Sequence, residues 1–303
     1  MSIFKQNNDK LNAIFCVAGE AKPNNGEDSY YYSNKGDKTI VAVFDGCGGI
    51  GSKRYNNYSL KTGAYISSRA VCGGVKSWFD TASDDASKIG DYIREALDIC
   101  EKYADKTGRL LGSLGKSFPT TAAIMYKNSD KITCMWAGDS RCYMLDFDGL
   151  CQLTEDDVDS FDALDNITSD GVLTNVISAS ADFEIHKKEF SVNKPCILFA
   201  ATDGCFAYFN SPMEFEYLLT SSLVESENIL EWQKKLNDTI KEVAGDDYSL
   251  SVCVFGFENF LKMKRDFKNR NIYVKNNFIV SDDDISKKWD LYKTNYSRYL
   301  NEK

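Results

Sequence analysis

Short apolar runs alternate with polar turns over the first fifty residues. The runs NAIFCVAG, DSYYYS and TIVAVFD are separated by the turn-rich segments KPNNGE and NKGDK. Short runs rich in β-branched and aromatic residues, bounded by Gly, Pro, Asn and Asp, are typical of strands. The first part of the chain is therefore predicted to form a β-sheet.

The pattern then changes to a helical period. Two helical stretches follow, and the second is the clearer one, because its apolar positions recur every three or four residues: Tyr92, Ile93, Ala96, Leu97, Cys100 and Tyr103. A further helix is predicted from about 229 to 243, where the same rhythm is kept by Ile229, Trp232, Leu236, Ile240 and Val243.

Strand-like runs return between and after these helices. They are TTAAIMYK, KITCMWAG, SRCYMLD, FEIHKKEF, CILFAA and, last, SLSVCVFGF. Several of the connections are turns of a few residues, which permit antiparallel hairpins but not parallel crossovers of a dozen residues or more. We therefore expect an α+β fold in which antiparallel sheets carry helices on their outer faces.

The last part of the chain differs in charge from the rest. The whole sequence has a net charge of −9, but residues 258–303 carry +4 and residues 1–257 carry −13. Trp289, Tyr292, Tyr296 and Tyr299 recur at amphipathic helix spacing. We expect a domain over 1–257 and a basic, helical extension over 258–303. The extension is interpreted as docked on the acidic domain; a partner-binding appendage is the alternative.

Composition limits the classes of function. The acidic balance opposes non-specific binding to nucleic acid or to an anionic membrane. The ten cysteines of the 303-residue chain are scattered and lack the spacing of a zinc site, which indicates a reducing compartment. No leader segment and no apolar run of about 20 residues is present in the sequence. We expect a cytoplasmic protein.

Candidate chemistry lies where apolar runs end. Asp45 ends such a run and precedes Gly46 in VAVFDGCGG, Asp203 does the same in ILFAATDG, and Asp246 and Asp247 stand before the final strand. Carboxylates are the hard oxygen ligands that Mg²⁺ and Mn²⁺ prefer. If the strand ends meet at one rim, these residues predict a metal-dependent hydrolase.

Other interpretations of the glycine-rich segment fit less well. Residues 46–51 match GxGxxG, but no acidic residue follows at the expected offset of about 20 residues, and the downstream pattern is not βαβ. GGIGSK has serine before lysine, unlike a phosphate loop. DFDGL at 146–150 lacks the later ligands of an EF-hand. The only histidine, His186, lies in a polar strand, which leaves little for a Ser-His-Asp site.

Taken together, seven segments resemble the metal-dependent protein phosphatase family, the PP2C-type serine/threonine phosphatases, and are most similar to bacterial members. In chain order they are GEDSYYYS, VAVFDGCGG, FPTTAAI, WAGDSRCYML, LTEDD, FAATDG and GDDYSLSV, and they span about residues 8–257. The resemblance implies an α/β/β/α sandwich of two antiparallel sheets with a two-metal centre at one edge.

The resemblance also implies roles for individual residues. Asp45 would bridge two Mn²⁺ or Mg²⁺ ions with help from the Gly46 carbonyl, and Glu27 and Asp28 would act near one ion. The other ion would be completed by Asp203 and Asp246, whereas Asp247 is the weaker choice. Asp139 would either be a metal ligand or shape a turn between strands.

Two positions depart from the family pattern. The family usually has an arginine that contacts substrate phosphate at the position of Pro23, so Lys22 is the candidate substrate-binding residue. An acidic residue that helps Asp139 to hold a third ion is replaced by Ala207, so a third ion is doubtful.

The function implied is hydrolysis of phosphoserine or phosphothreonine in proteins by a metal-activated water, opposing a serine/threonine kinase. A catalytically weak or inactive regulatory module of the same fold is the first alternative, because the phosphate-binding arginine is missing. A hydrolase of small phosphorylated metabolites is the second.

Overall fold

A computed structural model describes the backbone of residues 2–5 and, with side chains, residues 10–104, 118–159, 162–164, 172–281 and 283–300. The strands of this part are β1 (Ser2–Lys5), β2 (Leu11–Gly19), β3 (Ser29–Lys35), β4 (Lys38–Phe44), β5 (Arg54–Tyr55), β6 (Lys61–Thr62), β7 (Ala122–Asn128), β8 (Lys131–Ala137), β9 (Arg141–Asp146), β10 (Gly149–Gln152), β11 (His186–Ser191), β12 (Cys196–Ala201) and β13 (Tyr248–Phe257). The helices are α1 (Gly63–Thr81), α2 (Ile89–Tyr103), α3 (Pro212–Val224), α4 (Ile229–Val243), α5 (Phe260–Val274) and α6 (Ile285–Tyr296).

Two antiparallel sheets form the centre of the fold. The first has the strand order β1-β2-β13-β12-β9-β10 and the second β11-β8-β7-β4-β3, and every neighbouring pair is antiparallel. Strands β5 and β6 form a separate short hairpin. The predicted α+β class with two antiparallel sheets is therefore confirmed.

Side-chain alternation along the strands produces a four-layer sandwich. On β4, Val41 and Val43 enter the apolar layer between the two sheets, whereas Ile40, Ala42 and Phe44 enter the layer beneath α1 and α2. Successive strand side chains point to opposite faces, so a strand covered on both sides reads as a continuous apolar run. This explains why TIVAVF carries no polar alternation.

Helices cover the outer faces of both sheets. Helix α4 has the predicted bounds, and its N-terminus is capped by Asn228, whose side chain accepts a hydrogen bond from the Glu231 backbone N–H. Helix α3 was not predicted, although Ser211 followed by Pro212 and Glu214 is a recognisable helix start. Most residues of α3 are buried, so this helix lacks a polar face.

The C-terminal helices pack on the six-stranded sheet. Met263 and Phe267 of α5 and Trp289 and Tyr292 of α6 are buried in the same apolar cluster as that sheet. Helix α6 begins where Asp284 accepts a hydrogen bond from the Ser286 N–H, as the SDDD segment predicts. The domain boundary at residue 257 stays a prediction.

One detail of the predicted C-terminal helix is wrong. Helix α6 ends at Tyr296, so Tyr299 lies beyond it and contacts the Phe190 ring at 5.6 Å between centroids. All ten cysteines are free thiols. Among the described residues, no helix combines the length and the apolar character needed to cross a membrane.

Candidate active site

Strand direction brings the predicted aspartates to one edge of the sandwich. Asp45 directly follows β4 and Asp28 directly precedes β3, and the two strands pair with Ser29 opposite Phe44. On the other sheet, Asp203 lies just after β12 and Asp246 just before β13, which is paired with it. Asp139 follows β8 at the same edge. We call Asp28, Asp45, Asp139, Asp203 and Asp246 the acidic edge.

A hydrogen bond between the two sheets fixes Asp28. The Thr202 hydroxyl donates to Asp28 Oδ2 at 2.8 Å, and the other oxygen, Oδ1, is buried without a hydrogen-bond partner. Burial, followed by the repulsion of Asp203 and Asp247, raises the pKa of Asp28 to about 8. A buried carboxylate oxygen with no donor is costly unless a proton or a cation occupies its position.

Hydrogen bonds to its backbone carbonyl fix Asp45, and its carboxylate lies at the acidic edge. Its carbonyl accepts hydrogen bonds from the Thr120 hydroxyl at 2.6 Å and from the Thr121 N–H at 2.8 Å. Burial, and then the neighbouring carboxylates of Asp203 and Asp28, raise the pKa of Asp45 well above its usual range. Thr120 and Thr121 are thus buried supports of the site.

The surroundings of Asp139 are similar to those of Asp28. Its Oδ1 is also buried without a partner, and burial, followed by Asp203 and Asp156, raises its pKa to about 7. The neighbouring Ser140 hydroxyl is hydrogen-bonded to the Thr121 hydroxyl at 2.7 Å, which fixes the turn. Ala207 donates its N–H to the Asp203 carbonyl and, being alanine, adds no ligand oxygen there.

Gly46 and Gly204 are required by close backbone approach. A Cβ on Gly46 would lie 2.6 Å from the Ala64 carbonyl oxygen and 2.8 Å from that of Glu27. A Cβ on Gly204 would lie 1.9 Å from the Asp247 carbonyl oxygen. Both glycines therefore allow the segments that carry the acidic residues to pack against each other.

Asp246 and Asp247 have different surroundings. Asp247 accepts hydrogen bonds from the Ala21 N–H at 2.8 Å and from the Glu27 N–H at 2.6 Å, one on each carboxylate oxygen. It thereby fastens the loop before β3 to the start of β13. Asp246 is exposed, and its Oδ1 accepts from the Asp247 N–H at 2.8 Å.

Glu27 lies beside the acidic edge and is half-buried. It accepts a hydrogen bond from the hydroxyl of Thr62, the N-cap of α1. Burial raises the pKa of Glu27, and the Thr62 hydrogen bond opposes this shift.

A cavity of about 380 Å³ opens next to Glu27. Exposed Lys22 lines it, as do two cations that the sequence analysis missed, Arg54 and Lys61 of the β5–β6 hairpin. Glu27, Asp246 and Asp247 line it as well. Lys53 and Arg54 follow closely after the glycine-rich turn, which is the signal that could have identified Arg54; it does not extend to Lys61.

Two further residues, Arg141 and His186, lie to one side of the acidic edge. Arg141 is buried and forms a two-pronged ion pair with Asp156, from Nε at 3.0 Å and from Nη2 at 2.6 Å. His186 is half-buried and lies 2.8 Å from Asp157 Oδ1, whose partner oxygen accepts from the Gly138 N–H. These groups support the turn that carries Asp139.

The donors of the acidic edge fit a hard divalent cation by their chemistry. They are carboxylate oxygens, two of them buried without partners, and burial, followed by mutual repulsion, raises the pKa values of Asp28, Asp45 and Asp139. In the part of the chain that the structure describes, however, no three His, Cys, Asp or Glu side chains already converge on one point as a metal site. The edge supplies suitable ligands but not a closed coordination shell.

A family model, described as "Protein phosphatase 2C", matches residues 20–242. The chain belongs to the protein phosphatase 2C family. A search of curated proteins found no match.

Solved structures share the PP2C fold at low sequence identity. The serine/threonine phosphatase PstP/Ppp of Mycobacterium tuberculosis has a TM-score of 0.58 and 14% identity, with 80% of this chain and 98% of that chain covered. Stp1 from Staphylococcus aureus has a TM-score of 0.62 and 14% identity, covering 84% and 99%. A further structure of the PstP catalytic domain is a complex with two manganese ions, at TM-score 0.56 and 15% identity, covering 80% and 97%. The bacterial-like PP2C resemblance is thus confirmed.

Proposed function

We propose that this PP2C protein is a metal-dependent serine/threonine phosphatase that acts on phosphorylated proteins. The observation that carries the proposal is the acidic edge, in which Asp28 and Asp139 each bury an oxygen that has no hydrogen-bond donor. The two manganese ions in the related PstP structure support the same interpretation. We propose two Mn²⁺ or Mg²⁺ ions, with a third doubtful because Ala207 adds no ligand.

We propose that the carboxylates of Asp45, Asp28, Asp203 and Asp246 and the Gly46 carbonyl would hold the ions. Bound divalent ions would neutralise the carboxylates, polarise the phosphoryl oxygens and activate a water.

The chain's own residues hold these ligands in place. Thr120 and Thr121 fix the backbone of Asp45, and Thr202 orients Asp28. Thr62 engages Glu27 Oε1, which leaves Oε2 to accept a proton from a water at the cavity. Asp139 is proposed as an additional, weaker ligand and Lys22 as a substrate contact at the rim.

The proposed substrates are phosphoserine and phosphothreonine of proteins phosphorylated by a serine/threonine kinase, in the cytoplasm. A different function, a regulatory module with little or no activity, is favoured by one observation: Pro23 and Ala207 replace two polar groups that the family usually has. Both functions use the same fold, so only turnover separates them.

The test compares phosphopeptides with free phosphoserine, in Mn²⁺ and after chelation, for the wild-type protein and Asp45→Asn. We expect hydrolysis of phosphopeptides that chelation abolishes and that Asp45→Asn lowers about a thousandfold, because several kcal/mol of charge stabilisation is lost.

The matched control is Asp130→Asn, an exposed aspartate in the turn between β7 and β8, at the opposite edge. It should keep wild-type activity. Activity that survives chelation would exclude the metal mechanism. No turnover of any phosphopeptide would favour the regulatory module, and faster turnover of free phosphoserine would favour a metabolite hydrolase.

A further inference from the structure

The hairpin after the glycine-rich turn carries cations toward the cavity beside the acidic edge. Strands β5 and β6 pair with Arg54 opposite Thr62 and Tyr55 opposite Lys61. Thr62 is also the residue that binds Glu27. The hairpin is therefore tied directly to a predicted catalytic carboxylate.

The hairpin is fixed by contacts on its other side. The Tyr55 ring stacks on Phe118 at 4.8 Å between centroids, the Tyr58 hydroxyl donates to the Cys100 carbonyl at 3.1 Å, and Asn57 Nδ2 donates to the Tyr103 carbonyl at 2.8 Å. These contacts anchor it to helix α2 and leave Arg54 and Lys61 to line the cavity.

The tip of the hairpin has an unusual backbone. Ser59 and Leu60 have φ values of 55° and 62°, a left-handed conformation that costs about 1 kcal/mol or more for a residue other than glycine. Such a conformation persists only where the surroundings impose it. Arg54 contributes to this, because its Nη1 donates to the Leu60 carbonyl at 2.8 Å.

Both cations keep donors for a ligand. Arg54 uses one N–H on Leu60, and Lys61 uses one on the Asn24 carbonyl at 2.8 Å, with its Nζ 4.3 Å from the centre of the Tyr65 ring. Within the residues that the structure describes, neither forms an ion pair. A guanidinium has five donors and an ammonium three, so several stay available.

The cavity is lined by both cations and carboxylates. The cations are Arg54, Lys61 and Lys22, and the carboxylates are Glu27, Asp246 and Asp247. A phosphate group needs positive charge and donors on the side away from the carboxylates, and an arginine fork fits it best. Position 23, where the family resemblance leads one to expect such an arginine, is a proline without a side-chain donor.

We propose that Arg54 and Lys61 form a phosphate-binding wall that replaces the missing arginine and holds the substrate's phosphoryl group beside the acidic edge. Only the identification of the bound anion as substrate rests on the proposed function. Binding of inorganic phosphate follows from the wall itself.

The test titrates inorganic phosphate into the Mn²⁺-loaded protein by calorimetry and measures KM and kcat on a phosphopeptide. The variants are Arg54→Gln and Lys61→Gln, whose amides keep a donor for the Leu60 and Asn24 carbonyls; Lys61→Gln also removes the cation beside the Tyr65 ring. Loss of a charged hydrogen bond should weaken phosphate binding about 10- to 100-fold and raise KM similarly for Arg54→Gln. Lys61→Gln should have a smaller effect, and Arg54→Lys should recover part of the loss.

The matched control is Lys53→Gln, which removes the same charge from the same hairpin but does not line the cavity. It should stay within about twofold of wild type, as expected for a general field effect alone. Melting temperatures near wild type verify that the variants fold.

The outcomes separate this inference from the proposed function. If wild type is active and Arg54→Gln and Lys61→Gln leave KM and phosphate affinity unchanged, the inference is wrong and the phosphatase stands. An equal loss in Lys53→Gln also overturns it. If wild type has no activity but binds phosphate through Arg54, the inference stands and the proposed function is wrong.

Discussion

Two acidic regions of this protein are treated in opposite ways. At the junction of α3, α5 and α6, Glu216 is fully buried, yet Arg270 donates to both its oxygens at 2.6 and 2.9 Å and the Tyr292 hydroxyl donates to one of them. At the acidic edge, Asp28 Oδ1 and Asp139 Oδ1 have no donor. The chain supplies the partners of the first carboxylate and leaves those of the others to be supplied from outside.

This difference distinguishes a structural charge from a functional one. A buried ion pair with all hydrogen bonds made is stable by itself, whereas clustered carboxylates without donors repel one another and favour their protonated forms. The pKa of Tyr292 is raised well above its usual range by burial and by Glu216, so its hydroxyl remains a donor. Burial, and after it the neighbouring carboxylates, raise the pKa values of Asp28, Asp45 and Asp139.

The largest expected effect is at the structural carboxylate. Glu216→Gln leaves Arg270 partly buried without its counter-charge and should lower the free energy of unfolding by about 3–5 kcal/mol. Urea denaturation measures it. Glu225→Gln, on an exposed residue, is the control and should change stability by about 0.5 kcal/mol or less. If Glu216→Gln lowered the free energy of unfolding no more than this control does, the contrast between the two regions would be refuted.

The two adjacent aspartates before β13 allow the same comparison between a structural and a functional carboxylate. Asp247 is the structural one, and Asp246, which belongs to the acidic edge, is the functional one. Asp247→Ala strips acceptors from the Ala21 and Glu27 N–H groups and should destabilise the protein by about 1–3 kcal/mol. Asp246→Ala removes an exposed side chain and should leave stability nearly unchanged while weakening Mn²⁺ binding. Thermal melting and Mn²⁺ titration of both variants check this; equal effects on both measurements would contradict separate roles.

At Asp28 we expect a substitution to stabilise the metal-free protein rather than destabilise it. Asp28→Asn keeps an acceptor for Thr202 and removes an unpaired charge, so the metal-free protein should gain about 1–2 kcal/mol at about pH 8. The folded pKa of about 8 exceeds the unfolded value of about 3.9, so the folded state binds more protons between them and wild-type stability falls as pH rises.

The pH dependence of the stability difference between Asp28→Asn and wild type serves as the control. As pH falls, the variant's advantage should shrink, and it should vanish below about pH 4, where the wild-type carboxyl is protonated in the unfolded state as well. Excess Mn²⁺ at about pH 8 should reverse the sign, because only wild type gains an ion. A destabilised variant under metal-free conditions would show that the charge at Asp28 is satisfied after all.

The smallest expected effect concerns the contact between α6 and residues 162–164. Trp289 Nε1 donates to Asp162 Oδ2 at 3.2 Å, and Trp289→Phe should cost about 0.5–1.5 kcal/mol because this hydrogen bond is lost while most apolar contact remains. Thermal melting measures it, with Trp136→Phe as a comparison, since its Nε1 donates to the Glu155 carbonyl at 2.7 Å. A larger loss at Trp289 than at Glu216 would invert the comparison.

Much of the fold and the acidic edge could be predicted because the signals are local. Asp45 and Asp203 end strands whose apolar runs are unmistakable, and α4 shows its period and its cap in fifteen consecutive residues. Helix α5 lies within the extension predicted to be helical, but its bounds were not predicted, because only Met263, Phe267 and Val274 of its fifteen residues are buried, among many charges.

The rest depends on contacts that no local pattern contains. Asp247 fastens residues 226 and 220 positions away, so its role appears only in three dimensions. Arg54 and Lys61 lie on strands of two residues each, which are too short for any period. Sequence reasoning therefore found the carboxylates and Lys22 and missed Arg54 and Lys61, which line the same cavity.

The most direct test of the account is to locate manganese in crystals of the protein by anomalous scattering at the Mn absorption edge. The account predicts two peaks at the acidic edge, both in contact with the Asp45 carboxylate, and none there in Asp45→Asn. Crystals soaked in Mn²⁺ that show no anomalous peak at Asp45, while Asp28 and Asp139 stay as described, would contradict it.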